Sequence, residues 1–356
     1  MKEEVKFISV DMGNSAAKIC EFGKDGRIEF STIPNIAGPA SNLKFPPSGS
    51  DDNILSVKVQ TAEEPEHREE FFVGKLAQRE LQENADQDTD RNKAESYGIN
   101  IITPTILALH SAGTPMVLCT GATFQDFADQ SPRLKQRLTQ RHKVLFRYGT
   151  HAGQTVDANV ISTYTFPQLG AGLIGMLRDD QGRPRRDDWD NKTVLGLDFG
   201  HGQVHFGILQ NLEFIQSSCH STDFGCARII SAVQDYLNAA PYYVNATIPQ
   251  LQEAVERGYY LQHNNKIDLS EVVEAAQAEI MDQLYRALTN PKNISKALFD
   301  SINEIVIMGG RAVLMAPYVG AKLGMKPEIS RNYLVENARG MLLIAQDKWR
   351  AENGSF

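Results

Sequence analysis

Two stretches of this 356-residue chain place carboxylates, histidines and a lysine around glycine turns. The first is "ISVDMGNSAAKICEF", residues 8–22; the second is "LGLDFGHGQVHFGIL", residues 195–209. Overlaid, Ile8 meets Leu195, Val10 meets Leu197, Asp11 meets Asp198, Gly13 meets Gly200, Ser15 meets Gly202 and Lys18 meets His205. Apolar residues on both sides of a tight turn predict strand, turn, strand in each copy. A single Asp-x-Gly turn is common turn chemistry. A matched pair, each opening one half of the chain, points to a shared task.

That task is anion binding. A glycine turn lets backbone N–H groups face a phosphate with no Cβ in the way. The expected donors are Gly13, Asn14, Ser15 and Ala16 in the first copy, and Gly200, His201, Gly202 and Gln203 in the second, acting from the opposite side. Ser15 adds a hydroxyl, and Lys18 sets an ammonium on the outgoing strand. Carboxylates beside phosphates repel unless a cation lies between them, so Asp11 and Asp198 imply Mg²⁺ held largely through water. A third element, "IVIMGGRAVL" (305–314), sets Gly309, Gly310 and Arg311 between a buried strand and a helix, where backbone can approach a nucleoside. A glycine pair there also serves as a plain helix-start turn.

The elements that must position these groups alternate along the chain. Strands are expected at 5–22, at the start of "EFFVGKLAQRELQ", at "MVLCTGA" (116–122), "KVLFRYG", "QTVDANVISTYTF", 193–209 and "EIVIMGG" (304–310). Helices are expected at 101–111, with Pro104 in the first turn, and at 124–141, 167–177, 225–238, 247–258, 269–288, 312–320 and 336–349. Residues 37–53 read as a surface loop, "EEPEHREE" (63–70) as a solvated acidic turn, 83–98 as loop or frayed helix, and the charged 178–192 as a solvated connector. Interleaved strands and helices in both halves give an α/β fold.

Composition narrows the function. The chain is 42% hydrophobic and 22% charged, and its formal net charge is −8. Chain-wide attraction to nucleic acid or anionic membrane is therefore not expected. Cys20, Cys119, Cys219 and Cys226 form no C-x-x-C pair and read as reduced, buried thiols of a cytoplasmic protein. The N-terminus does not pattern as a signal peptide. No apolar run approaches the ~20 residues of a membrane span.

With its three motifs in this order, the chain resembles the actin-like ATPase superfamily of actin, sugar kinases and heat-shock chaperone ATPases. It is most similar to the ParM-type actin-like proteins that segregate plasmids as filaments, on "SSCHSTDFGCARIISAVQDYL" (217–237) and on its compact size. The resemblance implies two related α/β domains flanking a nucleotide cleft: 1–166 with a small subdomain near 30–95, 167–335 with one near 240–298, and a terminal helix, 336–356, packing back on the first domain. It implies ATP or GTP with Mg²⁺, self-assembly into filaments, and a DNA-binding adaptor that links the filament to a centromere-like DNA site. It places a water-orienting residue at Gln168 and a second water-positioning group at His205, with Asp11 and Asp198 completing the catalytic set. His201 falls where actin carries an Asp near the ribose, and Gln203 and His205 depart from the common D-x-G-x-x-T-x-D pattern. Gln252, Glu253 or Arg257 line the purine or simply form a solvated helix face. The alternatives are a small-molecule kinase of the same superfold and a membrane-linked cell-shape or division protein, although the tail "DKWRAENGSF" has few basic residues to hold lipid.

Overall fold

The computed structural model describes residues 4–50, 54–61, 69–81, 86–87 and 93–354. Most of the acidic turn at 63–70 and part of the polar stretch at 83–98 lie outside them. The chain forms two compact units: Met1–Asp187 with Val335–Phe356, and Asp188–Leu334.

The first unit begins with β1 (Lys6–Met12), β2 (Ala16–Phe22), β3 (Ile28–Pro34), β4 (Ile36–Pro39), β5 (Ser56–Gln60), β6 (Phe71–Val73), α1 (Lys75–Glu80) and β7 (Asp86–Gln87). It continues with α2 (Thr103–Ser111), β8 (Met116–Ala122), α3 (Phe127–Leu138), β9 (Arg141–Phe146), β10 (Thr155–Pro167) and α4 (Gln168–Leu177). A ten-stranded sheet runs β3-β2-β1-β8-β10-β9-β5-β6-β4-β7. β1 and β10 flank β8 in parallel, and β8 is buried at every position. That is what a strand covered on both faces requires. β10 is long enough to serve both halves of the sheet. Its first residues pair with β9 and its last with β8, and it then runs straight into α4.

A 3₁₀ turn at Asp187–Asn191 leads into the second unit. It continues with β11 (Thr193–Phe199), β12 (Val204–Gln210), β13 (Glu213–Ser221), α5 (Ala227–Asn238) and α6 (Ile248–Arg257). The hairpin β14 (Tyr259–Gln262) and β15 (Asn265–Asp268) follows, then α7 (Ser270–Leu288), α8 (Lys296–Asp300), β16 (Glu304–Met308), α9 (Ala312–Leu323) and β17 (Glu328–Ile329). Its sheet runs β13-β12-β11-β16-β17. Leu195, Leu197, Ile305 and Ile307 form its core with Ile229 and Val233 of α5 and Ile280 and Leu284 of α7. α6 starts at Thr247, whose N–H donates to Gln250 Oε1 at 2.9 Å, and stops at Gly258 with φ 77°.

The chain returns to the first unit in α10 (Glu336–Asn353). Met341 and Ala345 pack on Val117, Cys119 and Ala171, while Ala338 and Leu342 pack on Cys20. Its apolar side is thus spent on the protein and not left for lipid. Among the described residues, no helix is long and apolar enough to cross a membrane.

Three expectations change. The units part at Asp187/Asp188, later than 166/167, because α4 packs on α10 and so belongs to the first unit. The loop expected at 37–53 begins inside a strand, since β4 pairs with β6 and β7. The connector at 178–192 is only partly solvated: Trp189 is buried and its Nε1 donates to Glu304 Oε1 at 3.1 Å.

All four cysteines are free and buried, and burial pushes their thiols up, to about 12 for Cys119 and Cys226 and about 11 for Cys219. Glu21 on β2 behaves oppositely. Burial would raise its pKa, but the close approach of His110 and Lys6 to its Oε2, at 3.1 and 2.6 Å, brings it from 4.5 to about 2. A depressed carboxyl stabilises the fold above its unfolded pKa, and that stabilisation fades as pH falls from 4.5 through about 2. After allowance for solvent screening it is worth about 2 kcal/mol. Acid titration of Glu21→Gln against wild type should show a stability gap near neutrality that closes towards pH 2; a constant gap would assign the loss to packing.

Candidate nucleotide site

Asp11 and the turn that follows it lie at the carboxyl end of β1, the end shared with the parallel strands β8 and β10. β1 ends at Met12, β8 at Ala122 and β10 at Pro167. In open α/β sheets this is the edge where ligands bind. Asp11 is buried near the end of β1 and pairs in register with Lys18 on β2. The Lys18 ammonium lies 3.3 Å from Asp11 Oδ2. Gln168, first residue of α4, donates its Nε2 proton to Asp11 Oδ1 at 2.6 Å. One carboxylate therefore gathers a cation from the neighbouring strand and an amide from a helix start, and Gln168 is set by Asp11.

The second hairpin repeats this in the second unit. Asp198 is buried near the end of β11, in register with His205 on β12 and with Met308 at the end of β16. Gly309 follows directly, with φ 94°, and a Cβ there would lie 2.6 Å from the Phe199 carbonyl oxygen and closer still to Asp198 Oδ1. Gly309 therefore has to lack a side chain because it leans on the Asp198 turn. A Cβ on Gly310 would meet nothing within 4 Å, so backbone access in this motif lies at Gly310.

The two turns close identically. Gly13 N–H donates to the carbonyls of Asp11 and Ala16 at 3.1 and 3.2 Å; Gly200 N–H donates to those of Asp198 and Gln203 at 3.2 and 3.0 Å. The amides of both glycines thus close their own turns.

His205 Nδ1 lies 2.7 Å from Ser221 Oγ, which fixes the ring plane. Burial, reinforced by the Arg311 guanidinium, holds His201 below its ordinary pKa, so its imidazole is neutral at pH 7. Arg311 reaches Glu256 Oε1 at 3.5 Å. On the same helix Glu253 and Arg257 pair with each other, and Glu256 is the α6 residue that meets the glycine motif.

Ser221, Glu256 and Gly225 carry no local signature in the sequence. Gly225 is the most constrained: a Cβ there would lie 2.5 Å from Gly202 C and from His201 O. That close approach lets the start of α5 hold the second turn, with Cys226 N–H donating to Gly200 O at 3.1 Å and Ala227 N–H to His201 O at 2.7 Å. A glycine just before a helix was the available hint.

Residues 9–172 match the family model of the actin like proteins N terminal domain. The whole chain also superposes on a 15-stranded ParM filament structure from Clostridium botulinum (18% identity, 98% of this chain and 100% of that one, TM-score 0.76). The fold is that of the actin-like proteins. An archaeal actin homolog, Ta0583, shares it at 16% identity over 96% of this chain and 99% of that one, with a TM-score of 0.75. So does Bacillus thuringiensis ParM with ATP, at 16% identity over 97% and 99%, TM-score 0.68. No curated protein matches by sequence. The actin-like fold accounts for the duplicated hairpins, one opening the sheet of each unit.

Proposed function

We propose that this chain is an actin-like nucleotide hydrolase that polymerises with ATP or GTP and Mg²⁺ in the cytoplasm and drives plasmid DNA segregation through a DNA-binding adaptor. The observation that carries the reading is the pair of matched turns. Each is closed by the same two bonds, and each is preceded by a buried aspartate at a strand's carboxyl end. Nothing in ordinary turn chemistry requires that repetition. The filament of C. botulinum ParM and the ATP-bound ParM of B. thuringiensis support self-assembly and nucleotide use on this fold.

The residues take these roles in the reading. Asn14, Ser15 and Lys18 with His201, Gly202 and Gln203 hold phosphate oxygens, and Gly310 and Arg311 border the nucleoside. Gln168, anchored on Asp11, and His205, anchored on Ser221, orient the attacking water. An amide is a poor base, so rate comes from positioning and charge stabilisation. Among the described residues no group of three or more His, Cys, Asp or Glu side chains is placed to hold a metal. Single hard carboxylates at Asp11 and Asp198 suit a Mg²⁺ kept mainly by water and phosphate, and not a protein cage. When bound, that ion would neutralise charge on the phosphates.

Light scattering and phosphate release on the purified chain test the reading. Addition of ATP or GTP with Mg²⁺ should raise scattering and release phosphate without an acceptor. A protein that stays monomeric with both nucleotides, well above micromolar concentration, is not this polymerase. Nucleoside diphosphate formed only when an acceptor is added would make it a kinase.

A further inference from the structure

We propose that Asn35 is the positioning residue of the first phosphate turn, the side chain that aims its peptide N–H groups; this rests on the nucleotide-binding reading of that turn. Asn35 sits between β3 and β4 and is 2% exposed. Its Nδ2 donates to the Gly13 carbonyl at 2.9 Å, and its own backbone N–H donates to the Ser15 carbonyl at 3.1 Å. In a trans peptide, C=O and the following N–H point in opposite directions. Holding the Gly13 carbonyl therefore aims the Asn14 N–H, and holding the Ser15 carbonyl aims the Ala16 N–H. One residue orients two of the peptide groups that the turn offers to an anion.

The second turn shows what the device replaces. There the Gly200 and His201 carbonyls are held by the first amides of α5. In the first turn one residue of an extended segment holds two carbonyls, that of Gly13 (the counterpart of Gly200) with its side chain and that of Ser15 with its backbone. The side chain has to be a neutral donor: a carboxylate in that place would face the Gly13 carbonyl acceptor to acceptor. Asn35 is also kept at a cost. Its Oδ1 is buried and has no hydrogen-bond partner among the described residues. A buried amide with half its capacity unmet is a poor choice for stability alone. Its value lies in what the other half holds.

Calorimetric titration of the full chain tests this, with wild type, Asn35→Ala and Asn35→Asp. The ligands are the triphosphate that wild type binds more tightly (ATP or GTP), its diphosphate and its nucleoside, all with Mg²⁺. Both variants should bind triphosphate and diphosphate roughly 5- to 20-fold more weakly, the size of one lost hydrogen bond aimed at the turn, with nucleoside affinity within about 2-fold of wild type. Melting without ligand confirms folding, and Asn35→Ser carries the comparison if Asn35→Ala does not fold. Unchanged triphosphate affinity overturns the proposal. So does an equal loss for nucleoside and triphosphate, which is the signature of a merely structural residue. A wild type that binds no nucleotide overturns the nucleotide reading itself, and this inference with it.

Discussion

Replacing Gly340 with alanine is expected to cost the chain about 3 kcal/mol of stability or more. Gly340 sits on α10 where it crosses α4. A Cβ there would lie 2.5 Å from Ala171 C, closer still to Ala171 O, and 3.1 Å from Gly175 N. All are backbone atoms, which cannot rotate aside as a side-chain tip would. Gly175 answers from the other helix, where a Cβ would meet Glu336 Oε1 at 2.6 Å and Gly340 N at 3.2 Å. Arg339, beside this crossing, binds Asp180 at 2.9 Å, Glu336 at 3.1 Å and the Arg178 carbonyl at 2.8 Å, and it also reaches the Gly175 carbonyl. A buried cation with that many partners resists being moved. Chemical denaturation of Gly340→Ala against wild type measures the loss. A change below about 1 kcal/mol would mean the helices separate without penalty.

Asp198→Ala is expected to abolish nucleotide-dependent scattering and to slow phosphate release by about 10- to 100-fold, the usual effect of removing a group that orients a metal's water shell. Asp198 is 4% exposed, and its carboxylate lies against the backbone of Gly309. Its loss therefore touches the turn after β11 and the glycine motif after β16 together. Scattering at the wild-type level, from a variant whose unliganded melting is normal, would remove Asp198 from the site. Reduced melting with normal nucleotide response would reduce its role to holding Gly309.

Much of the local framework was legible. The repeated hairpins could be read because the alternation that places Asp11 opposite Lys18, and Asp198 opposite His205, is a two-residue period written in adjacent residues. Pro167 marked the start of α4, and Thr247 and Gly258 bracketed α6, because caps and φ restrictions are local. What could not be read depends on partners distant in the chain. The affiliation of α4 is decided by Gly175 meeting Gly340 and by Arg339 reaching Asp180, contacts that no window around 166 contains. Gln168 appeared as a residue for water, yet its bond to Asp11 spans most of the first unit in sequence. Turn glycines gave no sign of whether their amides would face a ligand or close the turn, since both uses require the same absent side chain.

The second turn's attachment to α5 has a consequence for mutational tolerance. Its donors, at Cys226 and Ala227, are main-chain groups, so no ordinary side-chain exchange at either position deletes them. The vulnerability moves one residue back, to Gly225, where any added side chain collides with the turn. The first turn inverts the arrangement, because one of its two anchors can be erased by a single codon change at Asn35. The two halves of a duplicated unit thus fail differently: one when an atom is gained, the other when one is lost.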